Sequence, residues 1–556
     1  MKKILILIFI STLFITKSSA SHYLGGEITW ECLSNGAFVF HLNRYRDCTG
    51  VSGNMSNETL TISGSPLPAN GVSSIIMRFN TTLFNATGQG DLSQYCSSSY
   101  GTQPSCGSGA LGSMQLFPFV SDTIQLTGSP PSSGWLFSHT SPCCYPNDYQ
   151  NIHTSNQLLL MSRMYGFPGK NVDTCYSSSP IFADLPSVQF CRDDTVEFSF
   201  AAISDFGDSL DYSNGRLYAA PHLNPVPLPF VSGYSINDVT PNTSFHPNNI
   251  PYTLNQASGD VLFYVNNFFG LQKFASSTIV KSYRNGVLLA SVNRIIPIVI
   301  QDCDTMPSGA QNTSPKLTPP FSNNGVPGYS TSVVAGSIVN VTVHFYDNDS
   351  TGVGTGRQEI TLVPFGESLS RNLINSTNCL LPNDTSCATF GFTPTLDSNL
   401  RPARYAYKAL GVGYVFLNWN TDCDDLTTAG TAKTHYFTFK IFDDHCPLPK
   451  TTYKTVAVTV TPSPNCNTIT SLQSMDLLQY ISLYPNPTNG QFSIALGASA
   501  DCVEVQIRNI QGQLVQEQQF LNQSNLELDI KGKAGVYFIH VTNEKGERAN
   551  LKVVKQ

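Results

Sequence analysis

The sequence predicts an all-β protein built as a string of modules. Three observations carry that expectation. Charged residues make up 12% of the 556-residue chain, about half the ~25% usual in soluble proteins, which disfavours long solvated helices. No stretch sustains a 3.6-residue apolar period. Runs rich in Val, Ile, Thr, Phe and Tyr alternate with turn residues along most of the chain. Apolar residues, at 41%, suffice for cores. At about 150 residues per domain the length allows three or four domains. Lys plus Arg is 31 and Asp plus Glu is 38, a net charge of −7. Such a balance supplies no basic face for phosphates and argues against a nucleic-acid binder.

Taken in order, the chain opens with Lys2 and Lys3, an almost wholly apolar run over 4–15, and the small residues Ser18, Ser19 and Ala20. That is the pattern of a secretory signal peptide over 1–20, handled by the Sec machinery and cleaved after Ala20. Twelve helical residues reach only about 18 Å, short of a ~30 Å hydrocarbon core. No later run approaches the ~18 apolar residues a spanning helix needs, so no transmembrane helix is expected after signal removal.

Residues 21–178 are expected as an N-terminal β module. Strands at 28–33 and 37–45 flank Asn35-Gly36, read as a two-residue hairpin turn of the primed type that sets Cys32 across from Val39. A second module over 179–303 contains a hairpin at 278–300 that turns at Asn285-Gly286. A third over 304–466 carries strands at 337–346, 414–419, 436–442 and 455–461. The Pro/Ser/Asn-rich piece 306–328 reads as partly linker, and the stretch 463–474 leads through a linker placed at 467–476.

The end of the chain differs in charge. Residues 477–556 hold seven basic and seven acidic residues, against 21 and 31 over 21–476. Pro485 and Pro487 exclude a helix, and Asn489-Gly490 is a turn signal. Alternating strands follow at 503–507, 514–520, 526–530, 536–541 and 549–554, punctuated by Gly512, Asn525 and Gly535. The pattern is a small β-sandwich, with Phe492, Ile494, Val505, Ile507, Leu514, Phe520, Leu528, Tyr537 and Ile539 as its expected core.

This segment resembles the type A C-terminal sorting domain of type IX secretion substrates in Bacteroidota. The matching features are Tyr484-Pro485-Asn486-Pro487 with Gly490, the central stretch 505–514 with Gly512, the stretch 535–541 with Gly535 and Tyr537, and the terminal Lys552 to Lys555. The resemblance implies passage through the type IX outer-membrane translocon, removal of the domain by a sortase-like surface peptidase, and cargo that is released or attached to surface polysaccharide. The body is similar, more loosely, to large surface proteins of the same bacteria built from immunoglobulin-like or cadherin-like β-sandwich modules. That likeness rests on His22-Tyr23-Leu24-Gly25-Gly26-Glu27-Ile28, Tyr45-Arg46-Asp47-Cys48 and Phe442-Asp443-Asp444-His445-Cys446. It implies tandem modules of that kind at 179–303 and 304–466, and a surface role.

Of fifteen cysteines, Cys502 falls in the sorting segment, leaving 15 − 1 = 14, an even number in an exported chain and hence a disulfide framework. Cys379 and Cys387 bracket a turn-forming loop, Cys96 and Cys106 a Ser/Gly/Pro-rich one, and Cys423 is set with Cys446 inside the third module. Cys143, Cys144, Cys175 and Cys191 are expected to pair among themselves or with neighbours. No Cys-x₂-Cys spacing supports zinc.

Gly207-Asp208-Ser209-Leu210 spells the nucleophile motif of the Gly-Asp-Ser-Leu esterases, whose Ser needs a His base in an Asp-x-x-His setting. None of the ten His here has Asp three residues before it. The acidic clusters Asp205/Asp208/Asp211, Asp347/Asp349, Asp422/Asp424/Asp425 and Asp443/Asp444 read as solvated turns, with bound calcium as the alternative, although none fits the twelve-residue calcium loop. Neither a His-Glu-x-x-His motif nor a Gly-x-Ser-x-Gly elbow occurs. The expectation is therefore an exported, surface or secreted, non-enzymatic adhesin, binding or structural protein without a cofactor and of unassigned ligand; surface polysaccharide or extracellular glycans are its candidate partners outside the cell. The alternative is a secreted hydrolase with accessory β modules, which a cleft with converging carboxylates would favour.

Overall fold

The computed structural model describes residues 23–556 apart from short internal stretches: 51–54, 95, 97–104, 109–111, 145–147, 154–156, 187, 205, 221–224, 267–269, 304–311, 324, 350–356, 382–385, 392, 401, 428–429, 447, 465, 467–480 and 544–547. The expected signal peptide and the linker at 467–476 lie outside the described residues. The protein is all-β among the described residues save for single turns of 3₁₀-helix and one six-residue helix, Thr81–Ala86, whose Leu83 amide donates to the capping Asn80 side chain. The chain forms two compact units, Met1–Ser463 and Pro464–Gln556.

Residues 21–178 and 179–303 do not form separate modules, because their strands share one sheet that closes on itself. Going round, Val287–Gln301 pairs with Tyr23–Cys32, followed by Phe38–Asp47, Met114–Ser121, Ser74–Phe79, Glu58–Ser63, Trp135–Cys144 and Gln157–Met164, which pairs back onto Val287–Gln301. The run Ile295–Ile300 explains why. Ile295, Ile296, Ile298, Val299 and Ile300 are all buried, so the strand is apolar on both faces and cannot end a module. Gly25 makes the closure fit: a Cβ there would sit 1.9 Å from the Ile295 carbonyl oxygen. Inside the closed sheet the Phe40 and Phe137 rings meet at 4.7 Å, tilted by 44°, beside Trp30.

The two Asn-Gly hairpins differ. At Asn285-Gly286 both residues have positive φ and Arg284 faces Val287, the two-residue primed turn. At Asn35-Gly36 only Gly36 does. Gly36 donates to Leu33 and Leu33 to Ala37, giving a longer loop with a glycine bulge. Cys32 therefore faces Phe38 rather than Val39.

From Lys316 onward the chain builds a two-sheet sandwich. One sheet is Lys316–Leu317, Ile338–Tyr346, Val412–Asn420, Thr389–Phe390. The other is Ser330–Val334, Thr451–Thr461, Lys433–Phe442, Glu359–Phe365, Arg404–Leu410, Thr395–Asp397, with the first two parallel and the rest antiparallel. The parallel edge, the three central antiparallel strands and the facing antiparallel sheet are the immunoglobulin arrangement. Strict alternation drives it: Val339, Val341, Val343 and Phe345 point inward, as do Val415, Leu417 and Trp419. The part of 306–328 that the structure describes is strand and turn rather than linker.

The second unit is one five-stranded sheet around the long strand Gln491–Asn509, whose register breaks between Ala495 and Ala500. Phe492, Ile494, Val505, Ile507, Phe520, Leu528, Tyr537 and Ile539 form its core, as expected. Leu514 does not. It follows the Asn509–Gln513 turn directly and is 47% exposed.

Candidate functional site

The motifs of the body serve its frame. Glu27 lies buried between three partners: the Tyr45 hydroxyl donates to it at 2.7 Å, the Asn43 amide at 2.9 Å, and the Arg294 guanidinium sits 3.3 Å away. Burial disfavours the charge on Arg294, but Glu27 outweighs it and holds the guanidinium more firmly protonated than usual. Asp47 meets Lys273 at 2.5 Å, and Asp148 meets the same amine at 2.8 Å. Burial pushes the Asp47 carboxyl up, yet Lys273 leaves it below its ordinary value. Tyr45 and Asp47 thus bind the second strand to the hairpin Gln272–Gln301.

Two of the expected cysteine pairings are corrected, and two members of the expected Cys143, Cys144, Cys175 and Cys191 group pair elsewhere. Cys106 bonds Cys48 rather than Cys96, with Cα atoms 4.8 Å apart, and Cys96 bonds Cys446 at 5.1 Å across 350 residues. Cys423 is disulfide-bonded, but not to Cys446. Cys175 bonds Cys32 and Cys191 bonds Cys303, so neither joins the Cys143–Cys144 group. The structure joins Cys379 to Cys387 across a separation of 8. Loop composition points only to near neighbours, whereas four of these bridges span 58 to 350 residues and follow from sheet closure and packing.

Ser209 begins the edge strand Ser209–Asn214, and its hydroxyl donates to the Tyr283 carbonyl at 3.2 Å. Asp208 beside it is clamped by Arg284 at 2.7 and 3.0 Å. A Ser–His pair that no sequence motif signals lies elsewhere. Ser368 Oγ is 2.7 Å from His435 Nδ1, and His435 Nε2 is 2.7 Å from the Asp425 carbonyl oxygen. Burial, and secondarily the charge of Lys433, pushes His435 down to about 3, so the ring is neutral. Both side chains are buried, with Trp419 edge-on 4.9 Å from the ring. The pair acts as a strut.

The acidic clusters lie in turns, as expected, but Asp208, Asp347, Asp425 and Asp443 are buried rather than solvated, and most of the carboxylates accept from backbone amides, near or distant in the chain. Asp443 Oδ1 accepts from the amides of His445 and Lys450, each at 3.0 Å, and Oδ2 from the Asn312 side chain at 2.8 Å. Asp347 accepts from the Asp349 amide, and Asp422 and Asp425 form a capping box on the turn Cys423–Asp425. Among the described residues no three His, Cys, Asp or Glu side chains are grouped to hold a metal ion; Asp205 lies outside the described residues.

Two cavities open between the closed sheet and the sandwich. The larger, about 240 Å³, is lined by Asp208, Ser209, Tyr212, Glu367, Lys433 and Tyr436 among others. The smaller, about 90 Å³, is lined by Asp91, Asp184, Arg404 and Lys440 with apolar neighbours. Their carboxylates are engaged: Glu367 with Lys433 at 3.1 Å, and Asp184 with Lys440 at 2.9 Å and Tyr453 at 2.8 Å. Asp91 accepts from the backbone amides of Ser93 and Cys106.

In the second unit the structure brings together the two ends of the sorting pattern. Asn486, between Pro485 and Pro487, clips the last strand: its amide donates to the Lys552 carbonyl at 2.8 Å and its oxygen accepts from the Val554 amide at 2.9 Å. Thr488 and Val554 share a backbone bond, and Lys555 reaches the Ile530 carbonyl at 2.7 Å, beside Gly490. Gly512, at φ 79°, closes the hairpin after Asn509. Tyr537, two residues after Gly535, is buried and donates to the Lys533 carbonyl at 2.6 Å, while Tyr484 stays half exposed.

Residues 482–556 match the secretion system C-terminal sorting domain. The sorting domain is a type IX signal, and it marks the chain for export to the cell surface or the medium. Its implied partner is the type IX translocon. No helix among the described residues is long and apolar enough to cross a membrane. No curated protein matches the chain in sequence. Among solved structures it is similar to the Escherichia coli chaperone DraB, at 9% identity over 44% of this chain and 98% of that one, with a TM-score of 0.15. It is also similar to a run of titin domains, at 8% identity over 68% and 99% with a TM-score of 0.13. A third is the BSP domain of a biofilm associated protein, at 8% identity over 97% and 98% with a TM-score of 0.13. Superpositions at these scores carry no argument about fold or function.

Proposed function

We propose that the protein is a Bacteroidota cargo carrying a type A sorting domain, cut from that domain by a sortase-like peptidase, and that its first unit works outside the cell as a non-enzymatic adhesin, binding or surface-structural protein. One observation carries the reading. The carboxylates lining both cavities are taken up by cations or by backbone amides, whereas glycoside or ester hydrolysis needs an acid–base pair whose members are open to substrate. The deep Glu27–Arg294 cluster and the Ser368–His435 pair support the frame in the same way.

Two experiments test this. Deleting 477–556 should strand a folded first unit in the periplasm, and fusing 465–556 to a signal-peptide-bearing reporter should carry it outside with a cut near 463–474. Normal surface delivery of the deletion would overturn the sorting assignment. The purified exported protein should release no product from short acyl esters, peptides or polysaccharides. Release that Ser209→Ala abolishes would make the protein a hydrolase.

A further inference from the structure

The sheet Lys316–Leu317, Ile338–Tyr346, Val412–Asn420, Thr389–Phe390 buries one face in the sandwich, and the described residues leave the other open. Alternation puts Ile338, Asn340, Thr342, His344 and Tyr346 on the open face of one central strand. It puts Tyr414, Phe416, Asn418 and Asn420 on the other. Ile338 is 66% exposed, Tyr414 52% and Phe416 41%. The rings are ordered: His344 stacks on Tyr414 at 4.6 Å and 12°, and on Tyr346 at 5.3 Å and 21°. Thr318 fixes the imidazole with a 2.8 Å hydrogen bond. His344 covers one face of the Tyr414 ring. Thr389–Phe390 pairs with Val412–Asn420 at Leu417 and Asn418 and not at Tyr414.

From this geometry we infer that the open face binds a neutral polysaccharide chain. The inference rests on the binding role proposed above and gives that role its site. A solvent-exposed aromatic strip costs solubility and marks a contact surface. Its size limits the occupant. Five outward positions along one strand span about 27 Å and two strands about 10 Å. That is roughly a third of the ~800 Å² each partner gives to a stable protein interface, but it matches one extended glycan. Charge limits it further. Among the described residues of these four strands, Lys316 at the rim is the only Lys, Arg, Asp or Glu on the open face. The remaining polar groups are the His344 imidazole, held by Thr318, and amides and hydroxyls, which both donate and accept, as sugar hydroxyls do. Sugar C–H groups, weakly positive, suit the negative ring faces of Tyr414 and Phe416. A peptide strand would seek a sheet edge instead.

Affinity electrophoresis of the full exported chain in gels containing soluble xylan, β-1,3-glucan or hydroxyethyl cellulose tests the inference. At least one neutral polymer should retard the wild type. Tyr414→Ala/Phe416→Ala should lose at least tenfold in affinity, Tyr414→Phe should retain binding, and Ile76→Ala, which trims an exposed side chain of the closed sheet, should bind like the wild type. Thermal unfolding checks that each variant is folded. Retardation by none of the polymers, unchanged binding by the folded double variant, or stronger retardation by anionic alginate would overturn the inference. So would a wild-type dimer, seen by light scattering, that the double variant dissolves, since the face would then belong to a second copy. None of these results bears on whether the protein is a hydrolase, which product release decides separately.

Discussion

The closed sheet is tied together by buried ion pairs between its strands, whereas the immunoglobulin-type sandwich, besides its buried core, carries aromatic rings on one exposed sheet face. In the closed sheet, Glu27 and Arg294 are 3% and 3% exposed, and Arg44 is fully buried against Glu58 at 2.8 Å. In the sandwich, Tyr414 and Phe416 lie on an outer sheet face that the described residues leave exposed. The difference separates scaffold from surface. A buried ion pair demands that every neighbour be in place, and so fixes which strands meet. An exposed stacked ring contributes little to folding and remains available to a ligand.

The comparison breaks most sharply at Glu27. Glu27→Ala leaves Arg294 buried without its counter-charge, which should cost about 3–5 kcal/mol in urea unfolding of the first unit. Glu359→Ala removes a half-exposed partner of Lys408 and should cost under about 1 kcal/mol. Equal costs would mean that the buried cluster does not organise the sheet. Next in size is the Cys96–Cys446 bridge, which ties the closed sheet to the sandwich. Its double Ser variant should lose about 2–5 kcal/mol, and limited proteolysis should then separate the two parts, which the intact bridge prevents.

A pH experiment sharpens the comparison within the sandwich. Burial foremost, with the charges of Asp349 and Asp444 adding and Lys450 opposing, raises Asp347 to about 6. Burial and Asp347 itself also raise Asp443. An acid whose folded pKa lies above its unfolded value binds more protons when folded, so the stability it confers falls as pH rises between about 4 and 6. The wild-type minus Asp347→Asn stability difference should decline across that window and level off above it; parallel profiles would refute the assignment. The smallest effect should be at the open face. Tyr414→Ala should change unfolding free energy by no more than about 0.5 kcal/mol, as for surface substitutions in general. A loss above about 2 kcal/mol would make the aromatic stack part of the scaffold.

Where a feature depends on neighbours in the chain, the residues announced it. Asn285-Gly286 turned as its dipeptide demands, and the core of the second unit followed alternation, with Leu514 lost because hairpin geometry lifts the residue beside the turn into solvent. Asn35-Gly36 carries the same dipeptide, yet the strand register chose a longer loop. The Cys379–Cys387 loop was visible as a local turn, while Cys96 and Cys106 looked equally local and were not paired. The exposed ring strip escaped notice because alternation tells which residues share a face, but not which of two faces the rest of the chain will cover.

By itself the sequence determined the all-β class, the sorting domain, the exported destination and the presence of a disulfide framework. Each of these is written in composition, in short-range pattern or in a contiguous motif. Only the tertiary structure decided that residues 21–303 close into a single sheet, which cysteines meet, and that Glu27 finds Arg294 across 267 residues. It also decided that His344, Tyr346 and Tyr414 stack in the open. The physical reason is common to all of them. These contacts join positions far apart in the chain, and their partners are selected by which surfaces must leave water together, a condition that no local window of the sequence contains.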